Sequence, residues 1–164
     1  MLGCKWIYKR KRDKDGSISR YRARIVALGF RQKAFDSYRP DETYSPVVSK
    51  DSLRMFLSIS AKENLTIYQA DVKATFLQAP LKEVIYMTPP HGTDRVNNEG
   101  EKVIWRLKKA VYGLKQASAC FWTAVNTHLL DLGYHSLTGD PCLFQRNLPN
   151  GKKILVCCYV DDIT

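Results

Sequence analysis

Seven apolar residues follow one another without a break in Ile154-Leu-Val-Cys-Cys-Tyr-Val160, and they run straight into two carboxylates, Asp161 and Asp162. A strand with one wet face alternates apolar and polar side chains. This one does not, so both of its faces need cover. The chain must therefore fold around a sheet packed on two sides, with two acids held rigidly at the tip of an inner strand. Their oxygens suit a hard divalent cation, and a cation relieves the repulsion between them. The same dipeptide also suits an ordinary hairpin turn, where Asp is common. A distant partner acid distinguishes the two.

Thr66-Ile-Tyr-Gln-Ala-Asp-Val72 supplies one, reading as a strand that ends at Asp71, 90 positions before Asp161. If the two strands are neighbours, three carboxylates converge. That set fits two-metal phosphoryl transfer, in which cations ~3.5–4 Å apart activate the attacking oxygen and stabilise the leaving one. Such chemistry needs no nucleophilic side chain, and no Ser/His/Asp or Cys/His pattern or Walker-type glycine loop is present. A carboxylate metal nuclease fits the acids equally well at this point.

Charge points the same way. The 164 residues hold 26 Lys and Arg against 16 Asp and Glu, a net charge of +10, and residues 1–33 alone hold eleven cations and two acids. So concentrated a field suits a polyanion. Lys9, Arg10, Lys11 and Arg12 form a basic run, and Arg20, Arg22 and Arg24 fall on one face of a strand by its period of two. Trp6, Tyr8 and Tyr21 are expected among them. A solvated basic face is the plainer reading.

The remaining pattern is α+β. Asp13-Lys-Asp-Gly16 predicts a hairpin between strands at Lys5–Tyr8 and Ser19–Val26. Gly29–Ser49 reads as loop. Ser49 or Asp51 caps a helix whose buried face carries Leu53, Phe56, Leu57, Ser60 and Ala61. Strands follow at Val84–Met87 and Val103–Leu107. A second helix carries Phe121, Trp122, Val125, Leu129 and Leu132 and stops at Gly133. Strands at Asp140–Phe144 and in the final apolar run close the chain. Five scattered cysteines without a C-x-x-C pair predict free thiols in a reducing compartment. Neither a secretory leader nor an apolar run of membrane-spanning length is expected.

Motifs in order along nearly the whole chain carry a resemblance. They are Lys5-Trp-Ile-Tyr-Lys9, Tyr21–Phe30, Asp41-Glu-Thr-Tyr-Ser-Pro46, Asp71-Val-Lys-Ala-Thr-Phe-Leu77, Ile85-Tyr-Met87, Tyr112-Gly-Leu-Lys-Gln116, Asp140-Pro-Cys142 and Tyr159-Val-Asp-Asp162. The chain resembles the reverse transcriptase domain of copia-type LTR retrotransposons. The resemblance implies a right-hand polymerase fold, with fingers over about residues 1–70 and palm over about 71–164, its antiparallel sheet packed on helices. It implies two Mg2+ ions (Mn2+ can substitute) on Asp71, Asp161 and Asp162. It further implies Phe76 as steric gate, Thr75, Phe76 and Gln116 lining the nucleotide pocket, and Arg24 or Arg22 on the triphosphate. Lys9, Arg10, Lys11, Arg12 and Arg20 would meet nucleic acid.

The implied partners are an RNA or DNA template-primer, deoxynucleotides and, in an intact element, protease, integrase and RNase H; no membrane is implied. The implied location is the cytoplasm, inside a virus-like particle, or the nucleus. Two departures from the family pattern stand out: Ala74-Thr75-Phe76 for Thr-Ala-Phe, and Ala117-Ser-Ala-Cys-Phe121 without the usual Arg. The family's domain continues past the Asp-Asp turn, so a C-terminally incomplete domain is implied, with the edge of the last long strand unpaired. An inactive remnant that retains only nucleic-acid binding is the alternative.

Overall fold

The computed structural model describes residues 1–93, 96–160 and 162–164. Asp161 therefore lies outside the described residues. Among the described residues the chain forms a long two-stranded ribbon, a five-stranded sheet, a second two-stranded sheet and two α-helices, with these strands pairing antiparallel. This is the expected α+β arrangement.

Strands β1 (Cys4–Arg12) and β2 (Ile18–Ala27) make the ribbon, turning at Asp13–Ser17 with Gly16 at a φ of 87°. All residues from Ile7 to Tyr21 are exposed. Only the ribbon's base meets the rest of the chain. There Ala27 N–H donates to Tyr112 O at 2.8 Å, and Leu28 N–H donates to Gly3 O at 2.9 Å. Gly29 and Gly113 bring their backbones together: a Cβ on Gly29 would run into the Gly113 carbonyl, and one on Gly113 into the Ala27 carbonyl. Gly113 also has a φ of 92°, open to glycine and strained for other residues.

Helix α1 (Lys50–Lys62) begins as expected, with Ser49 Oγ accepting from Ser52 N–H. It buries Phe56 and Ser60, whereas Leu57 and Ala61 turn outward. After β3 (Ala70–Asp71), a 3-10 turn over Thr75–Gln78 leads into β4 (Pro80–Met87), which pairs with β5 (Trp105–Lys109). Helix α2 (Ala117–Asp131) ends two residues before Gly133, which has a φ of 81°. Strands β6 (His135–Leu137), β7 (Asp140–Asn147), β8 (Lys153–Tyr159) and β9 (Asp162–Ile163) complete the large sheet, in the order β3-β9-β8-β7-β6.

The apolar run behaves as its composition demands. Phe56 of α1 packs with Leu143 and Cys157, and Leu129 of α2 packs with Phe144 and Cys158. Successive residues of a strand point to opposite faces, so one helix covers each side of the β7–β8 pair. All five cysteines are free. Burial pushes the Cys142 and Cys158 thiols up to about 12. No helix among the described residues is long and apolar enough to cross a membrane.

One strand is shorter than its sequence suggests. Of Thr66–Val72, only Ala70 and Asp71 pair, because β9 offers only two residues to pair with. Residues 65–70 otherwise border an open groove of about 520 Å3 beside residues 153–156 of β8, which have no ladder partner on that side among the described residues. Nearer the end of β8, Cys158 and Tyr159 are paired by β9.

Candidate active site

Two of the three predicted carboxylates come together through sheet register. Asp71 on β3 is the cross-strand partner of Asp162 on β9, and Asp162 is the partner of Tyr159 on β8. Directly opposed residues of an antiparallel pair share a face, with Cβ atoms about 5 Å apart, and like charges so placed repel. Asp71 is exposed and Asp162 half-buried, and among the described residues neither has a cationic partner within 4 Å. An open pair of carboxylates with uncompensated charge fits the hard-oxygen donor set that Mg2+ takes. Asp161, the third of the set, lies outside the described residues; without it, no cluster of three metal-ligating side chains is found among them.

The backbone just before Asp162 is strained at Val160. Tyr159 and Asp162 pair across a two-residue connection, and its first residue, Val160, sits at a φ of 55°. Such tight hairpins need left-handed backbone, which a β-branched residue adopts at a cost. Ala74, just before Thr75 and Phe76, is also left-handed, at a φ of 53°. Strain on both chain segments beside the acids is the pattern of a functional site.

Five positions after Asp71, Phe76 is clamped by two rings: Tyr112 edge-on at 4.8 Å and Phe121 at 6.5 Å between centroids. Arg24 lays its guanidinium over the Tyr112 ring, 5.1 Å from the centroid. A continuous row, Arg24–Tyr112–Phe76, thus links the ribbon to the segment carrying Asp71. Thr75 is buried, and its hydroxyl donates to Val72 O at 2.7 Å, bracing the turn that precedes the 3-10 segment.

Gln116 is 1% exposed. Its Nε2 donates to Ser37 O at 3.0 Å, and its Oε1 accepts from Gln32 Nε2 at 2.9 Å. Gln32 in turn accepts from Lys115 N–H at 2.8 Å. The Gln116 amide therefore fastens the 32–38 loop to the start of α2. Sequence reasoning missed Gln32 and Tyr112. Gln32 sits unmarked in a polar loop, whereas Tyr112 lies within the Tyr112–Gln116 motif and could have been singled out.

On the ribbon, register sorts the side chains more sharply than expected. The pairs Ile7–Arg24, Lys9–Arg22 and Lys11–Arg20 share one face; the pairs Trp6–Ile25, Tyr8–Ala23 and Arg10–Tyr21 share the other. The aromatic residues do not interleave with the Arg20–Arg22–Arg24 row but lie on the opposite side. Arg12 ties down the turn, donating to Gly16 O at 2.6 Å. Among the described residues none of these cations has a carboxylate partner.

The family model described as reverse transcriptase (RNA-dependent DNA polymerase) matches residues 1–164. The chain is 38% identical over 164 residues to the retrovirus-related Pol polyprotein from transposon RE2 of Arabidopsis thaliana, covering 99% of this chain and 11% of that protein. It is 36% identical over 162 residues to the corresponding polyprotein from transposon TNT 1-94 of Nicotiana tabacum, with 99% and 12% covered. The Ty1-H Gag-Pol polyprotein of Saccharomyces cerevisiae is 30% identical over 169 residues, with 99% and 8% covered. The chain thus spans about a tenth of the length of these relatives. No solved structure matches it.

Proposed function

The chain belongs to the reverse transcriptase (RNA-dependent DNA polymerase) family, and from that premise we propose that it carries the nucleotidyl-transfer site of a copia-type retrotransposon polymerase. In this reading the β1–β2 ribbon and the segment to about residue 70 are fingers, and residues 71–164 are palm. The observation that carries it is the pairing of Asp71 with Asp162 across β3 and β9. Two acids far apart in sequence stand opposite one another, and the segment that follows Asp71 carries the clamped Phe76.

Asp71, Asp161 and Asp162 would hold Mg2+, which when bound lowers the cost of ionising the primer 3′-hydroxyl and offsets charge on the departing pyrophosphate. The chain's own residues do the rest. Arg24, oriented by Tyr112, meets the incoming triphosphate as a fixed positive charge. Phe76, unable to swing because Tyr112 and Phe121 flank it, stands where a ribose 2′-hydroxyl would project. Gln116 shapes the pocket wall by fixing the loop that backs it. The cations of the ribbon hold template-primer through its phosphates. The chain would act within a longer polyprotein, a reading supported by the Pol polyproteins among its relatives.

Primer extension on a primed RNA template, with Mg2+ and then Mn2+, tests this. The 164-residue chain is expected to add deoxynucleotides, and the Asp71→Asn and Asp162→Asn chains to add none while binding template as before. Equal extension by the Asn variants would overturn the assignment.

A further inference from the structure

Gln32 is a polar side chain that the fold hides: it is 6% exposed, and its amide meets that of Gln116, itself 1% exposed. Burying two amides is costly unless every donor faces an acceptor. Here the matching admits one arrangement. The Lys115 backbone N–H can only donate, so the Gln32 oxygen must face it, at 2.8 Å. That turns Gln32 Nε2 toward Ser37 O at 3.0 Å and Gln116 Oε1 at 2.9 Å. The Ser37 carbonyl can only accept, so Gln116 meets it with Nε2, at 3.0 Å. Turning either amide over would set donor against donor and acceptor against acceptor.

The residues fixed in this way lead to Phe76. Lys115 and Gln116 end the turn that begins at Tyr112, and α2 starts from Gln116 and carries Phe121 in its first turns. Tyr112 and Phe121 are the two rings that flank Phe76. Leu114 and Ala117, on either side of the Lys115–Gln116 pair, are buried in the same cluster against which Phe76 packs. A shift of this turn therefore moves both walls of the Phe76 ring.

We propose that Gln32 is a positioning residue: it fixes the sense of the Gln116 amide, seats the Tyr112–Gln116 turn behind Phe76, and so sets how strictly the site selects its sugar. The role needs a carboxamide, which carries a donor and an acceptor on one planar head. A carboxylate at this position offers no donor to Gln116 or Ser37, and a thioether offers Lys115 N–H only a weak acceptor. Sugar selection rests on the polymerase reading, with Phe76 as gate. The seating of the turn rests on the hydrogen bonds alone.

The test compares the 164-residue chain with Gln32→Met, which keeps the side chain's length, and with Gln32→Glu, which keeps the acceptor for Lys115 N–H. In proton–nitrogen NMR the parent's Gln116 side-chain amide should exchange slowly with solvent. Both variants should exchange it about tenfold faster or more, and their Phe76 ring signals should shift. In steady-state primer extension both should lower the ratio of deoxyribonucleotide to ribonucleotide incorporation about tenfold. A merely structural role slows both incorporations alike and leaves the ratio unmoved, as Asp140→Asn, at the contact of Ser49 with β7, should do. In a Phe76→Val background Gln32→Met should lower the ratio no further, because residues that act through one another do not add. An unmoved Gln116 amide, an unchanged ratio or full additivity with Phe76→Val would overturn the proposal. A chain that extends no primer yet shows the NMR changes keeps the seating of the turn and loses the polymerase reading.

Discussion

Val160 holds a backbone conformation that its own side chain opposes. At a φ of 55° its branched Cβ crowds the backbone, directly after Tyr159, which pairs with Asp162. Asn tolerates the same region because its short polar side chain bonds locally. Val160→Asn is therefore expected to raise unfolding stability by about 1 kcal/mol in urea titration; no gain would mean the turn is not strained. Phe76 makes the complementary case, since its position is enforced by neighbours and not by its own backbone. Phe76→Val should raise ribonucleotide incorporation relative to deoxyribonucleotide in steady-state assays, and an unchanged ratio would remove Phe76 from the gate.

Joints between elements account for the larger penalties. Gly113 touches Ala27 and Val26 at the base of the ribbon, where any Cβ meets backbone. Gly113→Ala should cost at least about 2 kcal/mol from positive φ and collision together, read as a lowered melting temperature. Asp140 is a second joint: its carboxylate accepts from Ser49 N–H at 3.0 Å, at the cap of α1, and from Cys142 N–H at 2.9 Å in β7. Burial works against this carboxylate, but the hydrogen bonds from Ser49, Ser52 and Cys142 outweigh it and hold its carboxyl below the usual range. Because the folded value is the lower one, the stabilisation is complete above the unfolded value of about 4 and is lost as pH falls through the folded value. Asp140→Asn should cost about 1–3 kcal/mol at pH 7 and flatten the acid limb of a stability–pH curve. An unchanged acid limb would place the dependence elsewhere.

Across the whole molecule, what could be read from sequence was what local pattern controls. The unbroken apolar run announced a strand covered twice, Asp-Gly a hairpin, and Ser49 a cap. The pairing of Asp71 with Asp162 was also within reach, as two acids at the ends of two apolar strands. Long-range register was not. It sends Trp6, Tyr8 and Tyr21 to the face opposite Arg20, Arg22 and Arg24, and joins Gln32 to Gln116, with no trace in local composition. Nor could local pattern show that Thr66–Gln69 lacks a ladder, because a strand exists only where a neighbour supplies hydrogen bonds. Among the described residues, 153–156 of β8 have no ladder partner on the groove side, and an edge of this kind invites self-association of the 164-residue chain. Ile154→Glu, opposite Arg146 on β7, should lower concentration-dependent light scattering without lowering the melting temperature. Unchanged scattering would exonerate this edge.

The narrow root of the ribbon has a mechanical consequence. Nine residues of β1, at about 3.3 Å each, make a beam roughly 30 Å long, supported at one end only. Pivoting by about 10° at the Gly29–Gly113 contact carries its tip about 5 Å, while Arg24, near the fulcrum, is displaced far less. Leverage of this kind would let the far end follow a strand of variable path while the arginine beside Tyr112 keeps its place.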